Sequence, residues 1–247
     1  MSKHGPHTEE RLHGHGKGVL GKYHEYLGEF VYGGVDGSVT TFAVVAGAAG
    51  AHLDTGIVII LGFANLIADG FSMSVGAFLS HKSEQEHYDK HKQVEYWEVD
   101  HMPLKEREEV RDIFLKKGFE GQLLEQVVDK ICEDRERWVE FMMKEELEMT
   151  PNTKSPLGIG VATFVSFSLM GIIPLLAYLY NWFTGRGEDL FLYASVLTSI
   201  SFVVIGWLKS NVNETPRLKS IVETVLLGGI AAVLAYFVGN VLERIFL

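Results

Sequence analysis

Five long apolar stretches dominate the pattern of hydrophobic and polar residues along the chain. Each holds about 20 mostly apolar residues, the length that an α-helix needs to cross a lipid bilayer. They cover roughly 31–51, 56–79, 157–180, 190–208 and 220–242. The pattern therefore predicts an all-α fold, that of a polytopic membrane protein with five transmembrane helices.

Two local features mark these spans. Only the segment from Ala51 to Thr55 separates the first two, which predicts a tight hairpin. Pro174 lies inside the third span. Because proline has no backbone N–H to donate, we expect a kink at that point within the membrane.

Charged residues concentrate between the second and third spans, in residues 80–156, called the insert below. The insert carries 20 Asp and Glu against 13 Lys and Arg, so it holds most of the formal net charge of −10. An acidic segment attracts cations and repels a phosphate backbone, which argues against a nucleic-acid partner. Cys132 is the only cysteine, which excludes an internal disulfide.

The chain is thus expected to have four parts: a polar N-terminal tail and amphipathic lead-in (1–29), spans one and two (30–79), the insert (80–156) and spans three to five (157–247). The tail contains four histidines that could bind metal loosely. Glycine and charged residues dominate it, however, and favour a solvated segment. These histidines are His4, His7, His13 and His15.

The positions of Lys and Arg predict the orientation, because these residues favour the cytosolic side in short loops near span ends. If the N-terminus is cytosolic, the tail, the insert and the loop with Lys209, Arg217 and Lys219 all fall on that side. The outside then receives only Arg186 and Arg244. We therefore expect the N-terminus and the insert in the cytosol.

The insert is predicted to form three helices. The first continues out of the second span and stops near Pro103. Pro103 opens the second helix, which Gly118 closes. A third helix, whole or broken in two, is expected from about Glu120 to Met149.

The first two spans contain polar residues that membrane helices rarely carry. Asp36 lies between glycines in the first span, where an ionisable group costs about 2.5 to 3.5 kcal/mol on insertion scales. Asn65, Asp69 and Met73 follow at intervals of four in the second span, so they share one stripe of the helix. Carboxylate, amide and thioether together suit ferrous iron or manganese better than magnesium. These four residues are the candidate ion pathway, with a structural hydrogen bond for Asp36 and simple packing for Met73 as the alternatives.

The insert contains paired ligand types at helical spacing. Two successive helices each carry two glutamates at i and i+3, and the third carries a methionine and a glutamate at i and i+4. Like charges that close repel each other, and a bound cation would relieve the repulsion. Such pairs are also common on solvated helices. The candidate metal ligands are Glu95, Glu98, Glu106, Glu109, Met142 and Glu146.

A rival interpretation starts from two matches to Glu-x-x-His, the signature of ferritin-like di-iron enzymes. The matches begin at Glu84 and Glu98 and are predicted to lie on one continuous helix. Fourteen residues of helix span about 21 Å at 1.5 Å per residue, so the two motifs cannot share one metal pair. We therefore expect no enzymatic activity, and a ferroxidase is kept only as a third hypothesis.

The chain resembles the vacuolar iron transporter family from Gly28 onward. The resemblance rests on VDGSVTTFAVVAGAAGA in the first span, SMSVGAFLSHKSEQEHY after the second, and FMMKEEL at the end of the insert. It implies five spans, a helical cytosolic insert and a homodimer. It also implies that Asp36 and Met73 line the ion path, and that the six candidate ligands of the insert bind ferrous ions.

The second span departs from the family pattern at two positions. The plant-type members have a Glu where this chain has Asn65, and a small residue where it has Asp69. The carboxylate is thus moved by one turn on the same face of the helix. Manganese therefore stays open beside iron as the transported ion.

The leading hypothesis is an antiporter that moves Fe²⁺ out of the cytosol in exchange for protons, with Mn²⁺ or Zn²⁺ as alternatives and no prosthetic group. The insert would collect the metal and pass it to Met73 and Asp36. The bilayer would be a prokaryotic inner membrane or a vacuolar membrane. The second hypothesis is a membrane-anchored metal buffer or sensor without transport.

Overall fold

The computed structural model describes residues 26–187 and 189–246, and the regular secondary structure of this part of the chain is all helical. The predicted tail, with His4, His7, His13 and His15, lies almost wholly outside the described residues. The α-helices of the described part are α1 Leu27–Gly50, α2 Thr55–His101, α3 Pro103–Lys116, α4 Gly121–Cys132, α5 Arg135–Glu145, α6 Pro156–Gly171, α7 Leu176–Thr184, α8 Leu190–Val212 and α9 Arg217–Phe246, and a 3₁₀ turn covers Ile173–Leu175.

Five helical stretches of the described residues are long and apolar enough to cross a membrane, which confirms the predicted class. They are α1, the first part of α2, the segment Pro156–Thr184 that contains α6 and α7, α8 and α9. The turn between α1 and α2 comprises residues 51–54, as the hairpin prediction required. The chain is therefore an all-α integral membrane protein.

The described residues form two compact units. The membrane unit contains the residues up to Phe78 and those from Lys154 onward, and the insert unit is Leu79–Thr153. In the membrane unit, α1 packs against α6, α8 and α9. A Cβ at Gly37 would collide with the backbone carbonyl of Phe167, so the absence of a side chain lets α1 and α6 touch closely.

The predicted kink at Pro174 is present. Pro174 lies in the 3₁₀ turn between α6 and α7, and it leaves the carbonyl of Met170 without its usual helical donor. The hydroxyl of Ser38 on α1 donates to that carbonyl at 3.2 Å, and it also lies 3.1 Å from the hydroxyl of Ser201 on α8. A buried side chain therefore satisfies the backbone group that the break exposes.

The insert unit has its own apolar core, built from side chains of α2, α3, α4 and α5. Its third predicted helix is two helices, because α4 ends at Cys132 and α5 begins at Arg135. Asp134 has extended backbone angles, and its carboxylate accepts the N–H of Arg137 at 2.8 Å. This N-cap starts α5 afresh, so the unit contains the end of α2 and three further helices, and the third predicted helix takes its broken form.

Candidate metal centre

The four glutamates predicted as pairs lie on two consecutive helices. Glu95 and Glu98 belong to the last two turns of α2, and Glu106 and Glu109 to the first two turns of α3. Between the helices, Met102 leaves the helical conformation, with φ −129° and ψ 44°, and Pro103 occupies the first turn of α3. Proline cannot continue a helix but fits its first turn, so this short break redirects the chain.

The break brings the two glutamate pairs together. Glu95, Glu98 and Glu106 each offer a carboxylate oxygen within 4.8 Å of the others, and so do Glu106, Glu109 and Glu146. Glu106 belongs to both groups. Five of the six residues proposed as ligands from their spacing therefore converge in two overlapping triads, called the glutamate cluster below.

Two members of the glutamate cluster are buried. Glu95 is 3% exposed and Glu106 is 1% exposed. The Oε2 atom of Glu95 and both carboxylate oxygens of Glu106 have no hydrogen-bond donor among the described residues. A buried polar atom without a partner costs free energy, and an ionised carboxylate costs more. A proton or a bound cation would supply the missing partner.

Burial and mutual repulsion raise the pKa of these carboxyl groups. Removal from solvent, followed by the charges of Glu146 and Glu106, raises the pKa of Glu95 to about 7. Removal from solvent, followed by the charges of Glu109 and Glu98, raises the pKa of Glu106 to about 7. The pKa of Glu146 is also raised, chiefly by desolvation. The cluster therefore holds protons near neutral pH when no metal is bound.

A lysine that the spacing argument overlooked lies at the edge of the cluster. The ammonium of Lys105 is 2.9 Å from Oε1 of Glu109 and 3.9 Å from Oε1 of Glu106. The sequence carried a signal for it, because Lys105 stands four residues before Glu109 on the same helix. Lys105 thus places a positive charge beside the site at which a metal cation would lie.

Met142 and Glu146 come from the α5 region, and they differ in environment. Met142 is fully buried in the apolar core of the insert unit with Val99, Val110 and Val139. Glu146 follows the end of α5, and its carboxylate joins the second triad. The role of the Met142 thioether as a metal ligand remains a proposal.

Ion pairs attach α5 to the end of α2. The guanidinium of Arg135 donates to both carboxylate oxygens of Asp100 at 2.7 and 2.6 Å, and it also lies over the ring of Tyr96. About two turns before Asp100 on α2, Lys92 donates to Glu136 at 3.0 Å. A two-pronged arginine–carboxylate pair fixes orientation as well as distance. These contacts hold α5 where Glu146 can reach the cluster.

The four polar residues predicted for the ion pathway lie in α1 and α2 of the membrane unit. Asp36 is half-buried and within electrostatic range of Asp69, which is exposed. Asn65 is half-buried, and its Nδ2 has no acceptor among the described residues. Met73 packs against the apolar core of the membrane unit. The charges of Asp36 and Asp69 are thus close enough to interact, whereas Met73 contacts apolar neighbours.

The chemistry of the glutamate cluster suits a divalent cation. Carboxylate oxygens are ligands for magnesium, calcium and manganese, and they also occur in sites for ferrous iron. Three oxygens within 4.8 Å of one another can all approach one ion once the protons leave. A cation would supply the partner that the buried oxygens of Glu95 and Glu106 lack.

Comparison with known proteins identifies the family. The model of the VIT family matches residues 27–240, which is most of the chain. The chain belongs to the VIT family. Among the similar members of the VIT family is the vacuolar iron transporter of Toxoplasma gondii, 33% identical over 230 residues, which cover 90% of this chain and 76% of that protein.

Two further relatives carry the same description. Vacuolar iron transporter 1 of Arabidopsis thaliana is 30% identical over 221 residues, covering 89% of this chain and 87% of that protein. The vacuolar iron transporter of Plasmodium falciparum is 30% identical over 225 residues, covering 88% of this chain and 82% of that protein. The residues of this chain that match the family model, 27–240, include parts of all five spans and the whole insert unit.

Proposed function

We propose that this chain transports a divalent metal ion across its membrane and that the glutamate cluster captures the ion. Fe²⁺ is the first candidate. The observation that carries the proposal is the pair of overlapping triads that share the buried Glu106. Membership of the VIT family supports transport, since relatives at about 30% identity are named iron transporters. Mn²⁺ and Zn²⁺ are further candidates, because carboxylates accept them as well.

The proposed direction is out of the cytosol, with the N-terminus and the insert on the cytosolic side. The distribution of Lys and Arg supports this orientation. Proton antiport is part of the same proposal. The pKa values of about 7 for Glu95 and Glu106 support its first step, because a metal that binds at the glutamate cluster near neutral pH must displace protons there. Protons and metal thus compete for the same oxygens.

Within the spans, the proposed pathway contains Asp36, Asn65, Asp69 and Met73. The half-buried Asp36 and the partnerless amide nitrogen of Asn65 support it, because a span that serves only as an anchor needs no such groups. Asp36 is close enough to Asp69 for their charges to interact.

A homodimer is part of the proposal. Asp69 is exposed on α2 among apolar side chains that are also exposed, including Ile67 and Phe71, each 65% exposed. Lipid does not solvate a carboxylate, and an ionised group at the centre of a span costs about 2.5 to 3.5 kcal/mol. A second copy of the chain that covers this face would remove Asp69 from lipid. Light scattering in detergent should give a protein mass twice that of one chain.

The transport experiment uses proteoliposomes containing the purified protein and a pH-sensitive dye, with Fe²⁺ added anaerobically. The parent is compared with Asp36→Asn, with Glu95→Gln plus Glu98→Gln, and with the control Asp54→Asn in the exposed turn between α1 and α2. We expect Asp36→Asn to abolish flux and to leave binding to the insert intact. The double variant should lose metal binding, whereas the control should behave as the parent.

The same experiment separates transport from the alternative of an anchored metal buffer or sensor. An anchored buffer binds metal through the insert unit but moves neither metal nor protons. Parental metal binding with no flux in any liposome preparation would therefore favour the buffer. Undiminished flux in Asp36→Asn would remove that residue from the pathway.

A further inference from the structure

Two histidines touch each other on the part of α2 that belongs to the insert unit. His87 and His91 are four residues apart, and their ring centroids are 4.5 Å apart with the planes at 79°. Side chains at this spacing are neighbours on the helix surface. Among the described residues, neither ring has a hydrogen bond or an ion pair that would explain the contact. The pair is therefore free to bind something else.

The histidines share a helix face with the start of the glutamate cluster. His91 stands four residues before Glu95, which stands three residues before Glu98. These intervals keep the side chains on one stripe of α2. His91 and Glu95 are separated by about 6 Å along the helix axis at 1.5 Å per residue. His87 is exposed and His91 is half-buried, so an ion can reach the pair from solvent.

We propose that His87 and His91 form a second metal site, which takes a nitrogen-preferring divalent cation such as Zn²⁺. Two histidines at i and i+4 on one helix face can bind one Zn²⁺, as they do in helices with the pattern H-x-x-x-H. Both rings can turn their nitrogens toward one ion, because the torsion at the imidazole is broad. Water would complete the coordination at this exposed position.

Glu84 is left out of the proposed ligand set although it lies on the same side of α2. Its Oε2 is 3.5 Å from Nδ1 of His81, and Nδ2 of Asn152 lies 3.4 Å from the same oxygen. Those contacts engage its Oε2 with His81 and Asn152. The site is therefore a pair of imidazoles, and its donor atoms differ in kind from the oxygens of the glutamate cluster.

The difference in donor atoms gives the two sites different preferences. Imidazole suits zinc, copper, nickel and iron, whereas carboxylates also bind manganese and magnesium well. Zn²⁺ should therefore fill both the histidine pair and the glutamate cluster, whereas Mn²⁺ should fill the cluster alone. The histidine site does not depend on the proposed transport, because binding at His87 and His91 can be measured without flux.

The test is equilibrium dialysis of the full-length protein in detergent with Zn²⁺ and, separately, with Mn²⁺. The variants are His87→Gln, His91→Gln, the double variant, and His101→Gln as the control. His101 lies on the same helix, but the residue four positions before it is Trp97. The residue four positions before His91, in contrast, is His87. The four histidines of the N-terminal tail are present in every sample, so their binding cancels in the differences.

We expect the double variant to bind about one equivalent of Zn²⁺ fewer than the parent at saturation of the histidine pair, with unchanged Mn²⁺ binding. Each single variant should lose the same equivalent, because one imidazole does not chelate. Equal Zn²⁺ binding by the parent and the double variant would overturn the proposal. So would an equal loss in His101→Gln, or a loss of Mn²⁺ that matches the loss of Zn²⁺.

Discussion

Glu95 on α2 and Glu106 on α3 offer carboxylate oxygens within 4.8 Å of each other, although both side chains are almost completely buried. Each of these buried groups also has at least one oxygen without a donor among the described residues. Protons on some of its members therefore stabilise the metal-free cluster. This relationship between Glu95 and Glu106 makes binding of a cation and release of protons one event.

The shared position of Glu106 predicts that its loss harms both triads. We expect Glu106→Gln to weaken Mn²⁺ binding by at least about tenfold, since even residues that only support metal ligands are worth roughly 10- to 100-fold. Mn²⁺ is the convenient probe because it does not oxidise as readily as Fe²⁺. Calorimetric titration of the purified protein measures the dissociation constant.

Glu108→Gln is the matched control for this substitution. Glu108 lies on the same helix and is exposed, and it belongs to neither triad. Its substitution should leave the dissociation constant within about twofold of the parent's, since surface changes away from a site have small effects. If Glu106→Gln and Glu108→Gln bind Mn²⁺ equally well, the shared glutamate has no special role.

The raised pKa values predict how pH changes the stability of the metal-free insert unit. In the unfolded chain Glu95 and Glu106 ionise near 4.5, whereas in the folded protein both have a pKa of about 7. Their contribution to stability is thus fully present below pH 4.5 and is lost as the pH rises through about 7. After correction for intrinsic exchange, hydrogen exchange in α2 and α3 without metal should therefore be faster at pH 8 than at pH 5.5.

Metal affinity should change in the opposite direction over the same pH range. Deprotonated carboxylates bind cations, so Mn²⁺ affinity should rise from pH 5.5 to pH 8. Mn²⁺ should then slow hydrogen exchange of the insert unit more at the higher pH. A double variant with Glu95→Gln and Glu106→Gln should show little of either trend. A parent protein whose exchange rates are independent of pH, after correction for intrinsic exchange, would contradict the protonation argument.

The position of Lys105 predicts that its substitution increases the affinity for Mn²⁺. Its ammonium lies 2.9 Å from the carboxylate of Glu109. A metal that binds the same carboxylate must compete with this ion pair. We expect Lys105→Gln to tighten Mn²⁺ binding by about two- to fivefold, the range typical of a partly exposed ion pair. Calorimetric titration at low ionic strength provides the measurement.

Lys82→Gln controls for the loss of one positive charge. Lys82 forms a similar i, i+4 ion pair with Glu86, 3.6 Å apart, and neither residue is in the glutamate cluster. If the two lysine variants shift the Mn²⁺ affinity equally, the effect reflects net charge, and the position of Lys105 beside Glu109 is irrelevant. Added salt should reduce the difference between Lys105→Gln and the parent.

The spans were predictable from sequence because membrane helices follow from local composition alone. A run of about 20 apolar residues must be helical in a bilayer, whatever its neighbours are. The break at Pro174 is equally local, since the missing N–H belongs to one residue. The donor that compensates for the break, Ser38, is 132 residues from Met170 in the chain, and no local pattern indicates it.

The glutamate cluster was predictable in part. The i, i+3 spacing places Glu95 beside Glu98 on α2 and Glu106 beside Glu109 on α3, which is a local property of helices. That Glu106 belongs to both triads depends on how the chain turns at Met102 and Pro103. The division between α4 and α5 likewise depends on one N-cap at Asp134 that competes with continued helix. Tertiary geometry decided the first feature, whereas the second depends on a local competition between the cap and continued helix that the residue types alone do not settle.

Close contact between α1 and α6 predicts that substitution by alanine has very different effects on stability at two glycines of the membrane unit. A Cβ at Gly37 would collide with the backbone carbonyl of Phe167, whereas a Cβ at Gly229 on α9 meets nothing within 4 Å. Backbone cannot move aside as a side chain can, so Gly37→Ala should destabilise the protein by about 1 to 3 kcal/mol, as overpacking does. Gly229→Ala should be neutral or slightly stabilising, because Ala is the better helix former. Thermal unfolding in detergent, followed by circular dichroism, should show a lower midpoint for Gly37→Ala alone. Equal midpoints for the two variants would show that α1 and α6 are not in such close contact.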